Sequence, residues 1–178
     1  LTISERTFPH RVRADLQRTI DRLFAENTEI LHFSGVKKEY SHEGLTMADC
    51  IIESDHYPAL VMPPEYEDVD IGNEAPIQCL KTGLWLLEEA GQRFAVLVSP
   101  KGFHGQITTT TSPEASTITK RFFKHLEDSV LRAKSYRGKI LSLEKPEHFY
   151  SGAEAGIAVH RLRTVDREQV ILPQKTLE

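Results

Sequence analysis

In "SPEASTITKRFFKHLEDSVLRAK", residues 112 to 134, apolar side chains recur every four positions at Ile118, Phe122, Leu126 and Val130. Phe123 widens that stripe. Only a helix puts such positions on one face, and a face this apolar must be buried against something. Ser112 is placed as the N-cap and Pro113 at the first helical position, where its missing N–H costs nothing. A second stripe, in "FPHRVRADLQRTIDRLFA" (residues 8 to 25), carries Val12, Leu16, Ile20, Leu23 and Phe24 at the same spacing. Thr7 is expected to cap it, with Pro9 in its first turn and Asn27 as its stop. Two one-sided helices require a shared apolar partner, and the sequence between them reads as a sheet.

The strand readings follow from alternation and β-branched content. "EILHFSG" (29 to 35) alternates, "ADCIIES" (48 to 54) is a short apolar run, and "QITTTT" (106 to 111) is β-branched. "KILSLE" (139 to 144) is expected to be the last strand. Residues 36 to 46 read as a loop or weak strand. "TGLWLLEEAGQRFAVLVSP" (82 to 100) admits two readings. One is a helix over residues 77–91 that stops at Gly91; the other is a hairpin turning across "EEAGQR". Gly83 would cost a helix interior about 1 kcal/mol relative to Ala, which favours the hairpin. Pro58, Pro63, Pro64 and Pro76 break "DHYPALVMPPEYEDVDIGNEAP" into an irregular excursion with an acidic loop at its centre. The expected fold is α+β: one domain, residues 1–144, with about five mostly antiparallel strands packed by two amphipathic helices. Residues 145–178 follow as an extended C-terminal tail and linker.

Composition narrows the function classes. The 178 residues are enough for one buried core, and a net charge of -4 lacks the basic face of a nucleic-acid binder. Lys37-Lys38 and Lys120-Arg121 are soon followed by acids and read as solvated faces. No apolar run approaches the ~20 residues that span a bilayer. Cys50 and Cys79 are too few and too far apart for a disulfide framework or zinc site, and two reduced buried thiols suit a cytoplasm. The chain begins without Met and is read as a piece of a longer protein.

Candidate chemistry is sparse. "SPKGFHGQITTTT" brings Lys101, Gly102 and Gly105 ahead of several hydroxyls, but a phosphate loop places its Lys after the glycines and before a helix. A plain turn is the reading adopted. Glu65, Glu67, Asp68, Asp70 and Glu74 could ligate a hard cation, yet calcium-loop spacing is not met and a solvated loop is expected. Cys50 beside Asp49 and His56 beside Asp55 could form a nucleophile pair in space. A small apolar Cys on a buried strand accounts for "ADCII" without chemistry. Trp85 reads as a core anchor.

The C-terminal "VHRLRTVDREQVILPQKTLE" joins an apolar anchor to Pro173 and a helix start. Its Arg167, Glu168, Val170, Ile171, Leu172 and Pro173 resemble the segment leading into the ATPase module of bacterial AAA proteins of the cell-division-cycle/vesicle-fusion type. The resemblance covers residues 159 to 178 and implies an N-terminal region of such a protein. These residues would couple the domain to its own AAA module, in a homo-hexamer that binds ATP and Mg. No Walker A sequence occurs in the chain, so no catalytic residue, cofactor or metal is assigned within it. The resemblance implies a non-catalytic domain that recognises a protein client or adaptor, with no nucleic acid and no membrane among its partners. A stand-alone enzyme using Cys50 and His56 and a free-standing adaptor are the alternatives.

Overall fold

The computed structural model describes residues 1–38, 44–52, 57–72, 75–102, 104–143 and 157–161. Its architecture is α+β. Strand β1 (Thr2–Pro9) leads through a 3-10 turn into helix α1 (Arg13–Asn27). Then come β2 (Glu29–Lys38), α2 (Met47–Ile51), β3 (Ala59–Met62), β4 (Glu65–Val69), β5 (Ile77–Glu89), β6 (Gln92–Lys101) and β7 (His104–Thr111). Helix α3 (Ser116–Leu131) and the strands β8 (Ile140–Leu143) and β9 (Ile157–His160) complete the described chain. The strands β1 to β7 form one sheet in the order β1-β7-β6-β5-β2-β3, with β4 also paired to β5; β8 and β9 pair separately. Every pairing is antiparallel.

Both amphipathic helices lie on one face of the sheet, as their stripes require. Leu16, Ile20 and Phe24 of α1 and Ile118, Phe122, Phe123 and Leu126 of α3 share a core with Trp85, Leu87, Phe94, Val96 and Ile107. Residues alternate sides along a strand, so Leu84, Ala95 and Leu97 point the other way. There they meet Val36, Leu45 and Met47 in a second, smaller cluster. The segment over residues 77–91 is the hairpin: β5 and β6 pair from Glu89↔Gln92 to Gly83↔Val98. Ala90 and Gly91 form its two-residue turn with φ of 51° and 75°. Two successive positive φ values match the right-handed twist of the flanking strands, as in type I′ turns.

Five expectations are corrected. The sheet has more strands than about five, because polar edge strands carry no alternation signal of their own. "TISERTFP" is one of these: Thr7 lies in β1, paired with Gln106, and caps no helix. The helix instead begins after the 3-10 turn that follows Pro9. "ADCIIES" supplies a helix, α2, because Thr46 and Asp49 form a reciprocal capping box at its start. The described residues accordingly hold three helices. The excursion after Pro58 holds β3 and β4, and the acidic residues from Glu65 to Asp68 belong to a strand paired with β5. Residues 157–160, expected within the linker, pair as β9 with β8. Residues 144–156 and 162–178, most of that tail, lie outside the described residues.

Pro63 and Pro64 pass from β3 into β4 against Gly35, where an added Cβ would come within 2.5 Å of the Pro63 carbonyl oxygen. Glycine at position 35 is therefore required by backbone approach.

A left-handed conformation costs a residue with a Cβ roughly 1–2 kcal/mol, and Asn tolerates it best. Ala90→Asn is expected to raise the thermal midpoint by about 2–4 °C. Gly91→Val should lower it, and an unchanged midpoint in both variants would show the turn to be energetically neutral.

Candidate functional site

Strand β5 outruns its neighbour. Its pairing with β6 ends at Gly83↔Val98, and two residues further along β6 is Pro100, which has no N–H to continue a ladder. The backbone of β5 before Gly83 must find other partners, since buried peptide groups do not go unpaired. At Leu80 those partners come from α1. The Leu80 N–H donates to Gln17 Oε1 at 3.0 Å, and its carbonyl accepts from Arg13 Nη2 at 3.2 Å. A helix thus takes the place of a strand, and the gap between it, β5 and the β6–β7 turn is a cavity of about 300 Å³.

The floor of the cavity is apolar, with Phe8, Leu16, Ile20, Leu80, Val98 and Ile107 lining it. Its rim carries His10, Arg13, Glu67, Lys81 and His104. Arg13 organises that rim. Its Nη1 donates to Glu67 Oε2 at 2.7 Å, and Nη2 also approaches the Cys79 carbonyl at 3.4 Å. The hydrogen bond from Arg13 holds the Glu67 carboxyl below its ordinary value of 4.5, outweighing the opposing effect of burial. Gln17 in turn donates Nε2 to Asp21 Oδ1 at 2.8 Å. Burial raises the Asp21 carboxyl, and the bond from Gln17 partly offsets this.

Arg13, Leu16, Gln17 and Ile20 follow the i, i+3, i+4, i+7 spacing of a single helix face. A cation and an amide on an otherwise apolar stripe are the signal in the sequence for this site. Read by periodicity alone, they are no more than spacers between apolar positions. Glu67 stands out among the acids, but no local pattern points to its partner 54 residues away in the chain.

Of the other candidates, Gly102 and Gly105 also line the cavity, and the remaining described ones fall elsewhere. Lys101 and Gly102 belong to the tight β6–β7 turn, with Lys101 paired to His104, so the plain-turn reading holds. Among the acids, Glu65 faces Lys81 at 3.6 Å and Asp70 faces Arg161 at 3.0 Å, while Glu74 lies outside the described residues. No group of three or more His, Cys, Asp or Glu converges on a point among the described residues. Cys50 is on α2, half-buried, and donates to the Thr46 carbonyl at 3.6 Å. Burial and the Asp49 charge push its thiol up to about 11. His56 lies outside the described residues, as do Arg167, Glu168, Val170, Ile171, Leu172 and Pro173. Trp85 is the buried anchor expected of it.

A thiol is nucleophilic as thiolate, so Cys50 should be nearly inert at neutral pH. Its alkylation rate by iodoacetamide in the native Cys79→Ser protein should keep rising beyond pH 9; a plateau near neutrality would reveal an activated cysteine.

The Arg13–Glu67 pair sets a pH dependence. Glu67 is more acidic in the folded chain than unfolded, so its stabilisation is complete above the ordinary value of 4.5. It fades as pH falls through the lower folded value. With the carboxylate half exposed, Glu67→Gln should cost only about 0.5–1 kcal/mol at pH 7. Urea melts should show that difference shrinking as pH falls below the ordinary carboxylate range; a pH-independent difference would mean that charge is not its source.

No protein-family model matches the chain, and no curated protein or solved structure matches it either.

Proposed function

We propose that this chain is a non-catalytic recognition domain that precedes an AAA-type ATPase module and engages a protein client or adaptor. The observation that carries the recognition half of this reading is the cavity beside α1. It offers apolar volume, and two of the polar side chains that line it are engaged by the protein itself: Arg13 with Glu67 and Leu80, Gln17 with Leu80 and Asp21. Such a site suits an apolar side chain presented by a client segment, with the charged rim fixing its orientation. The motor half rests on the tail, where Arg167, Glu168, Val170, Ile171, Leu172 and Pro173 carry the resemblance. ATP and Mg belong to the module beyond this chain, which would assemble as a homo-hexamer.

The setting belongs to the same proposal. Free Cys50 and Cys79 suit the cytoplasm as the compartment. Among the described residues, no helix is long and apolar enough to cross a membrane.

Two measurements test the two halves separately. A reading frame that continues past Glu178 into G-x-x-x-x-G-K-[ST] supports the motor; a stop codon soon after it removes the motor and leaves a free-standing adaptor. For recognition, Val98→Phe places a ring into the cavity while staying apolar. Client capture should fall severalfold with the thermal midpoint changed by no more than about 4 °C, a shift of about 1 kcal/mol in a domain of this size. Undiminished capture by the folded variant would move recognition off this cavity.

A further inference from the structure

Helices α1 and α3 pack antiparallel, and the outer side of their seam is built differently from the core side. Toward the sheet they meet through rings, with Phe24 stacked on Phe122 at 5.8 Å. Toward solvent the contact is polar: the Thr19 and Ser129 hydroxyls lie 2.6 Å apart, and Thr19 Oγ1 also donates to the Asp15 carbonyl. Residues 15, 18, 19 and 22 of α1 repeat at i, i+3, i+4, i+7, and residues 125, 128, 129 and 132 repeat the same spacing along α3 and its cap. The two matched stripes line an open groove of about 620 Å³.

The groove is basic on a chain that is acidic overall. Arg18, Arg22, Arg132 and Lys134 line it with Asp15 and Asp128, four cations against two carboxylates. All four cations are exposed. Elsewhere Arg6, Arg13, Lys38, Arg93 and Arg121 each face a carboxylate. Within the groove, no cation takes an ion pair among the described residues, and Asp15 is engaged by the backbone N–H groups of Lys134 and Ser135.

We propose that the α1–α3 seam is a docking surface for an acidic polypeptide segment. Arginine forks bind carboxylates in a bidentate manner, and three of them spaced along a groove select a short run of Glu or Asp side chains. A nucleic-acid backbone fits less well. Seven residues of helix span only about 10 Å, Asp15 and Asp128 would face the phosphates, and the one ring that lines the groove is the His125 imidazole, with no Phe, Tyr or Trp for base stacking among the described residues. The surface is independent of the cavity beside α1, so failure of either assignment leaves the other standing.

The test is fluorescence anisotropy with a fluorescein-labelled peptide of alternating Glu and Asp residues, titrated with the whole chain. Saturable binding at low salt is expected, weakening as salt rises. The double charge reversal Arg18→Glu/Arg22→Glu should weaken it about tenfold or more, and the milder Arg132→Gln about threefold. Arg93→Glu, on the hairpin, should leave affinity within about twofold. Circular dichroism melts establish that each variant is folded; if the double variant is not, Arg132→Gln against Arg93→Glu decides. The proposal is overturned by absence of saturable binding, by equal losses from Arg93→Glu and the seam variants, or by tighter binding of a DNA duplex or single-stranded RNA at the same salt.

Discussion

Trp85 is where the sheet and both helices are tied together. It lies on β5, between β2 and β6, stacked against Phe33 at 4.7 Å and edge-on to Phe24 at 5.4 Å. Phe24 passes the contact to Phe122, and Phe122 touches Phe123. One line of rings therefore joins the sheet to α1 and α1 to α3. Buried aromatic rings carry the largest apolar areas of any side chains, so the helices gain most of their hold on the sheet here. With both helices fixed on one face, the opposite face is left to a much smaller cover around Met47 and Leu97.

The polar features of the molecule follow from that placement. Once Leu16, Ile20 and Phe24 are committed to the core, Arg13 and Gln17 must emerge over β5 just where Pro100 has ended its pairing with β6. Their bonds to Leu80 close a backbone gap and at the same time frame a cavity. On the far side of the same helix, Arg18 and Arg22 emerge along the seam with α3. A single helix thus supplies the rim of one surface and half of another, which gives both a rigid base.

Periodicity alone makes several elements legible. Ile118 to Val130 can only be a one-sided helix, and Ala90-Gly91 between two apolar runs is a turn that a helix would not need. Other elements are hidden because their signals are polar. Thr46 and Asp49 stand three residues apart ahead of an apolar run, a capping signature that outranks the β-like look of "CII". "TISERTFP" and "EYEDV" lack apolar alternation, for they sit where one or both of their faces are wet. Glu67 has the look of a solvated acidic loop, since nothing near it in the chain names Arg13 as its partner.

The amino-acid sequence by itself determined the α+β character, the buried faces of α1 and α3 and the β5–β6 turn. Each rests on spacing within about twenty residues, and side-chain periodicity is a local property of the backbone. Tertiary structure decided the polar strands, the cavity and the basic seam. A polar strand forms because a neighbouring backbone needs its hydrogen bonds, and a site forms where two distant segments bring unlike groups within reach. Arg13 meets Glu67 for that reason, and Arg22 shares a groove with Arg132 for the same one.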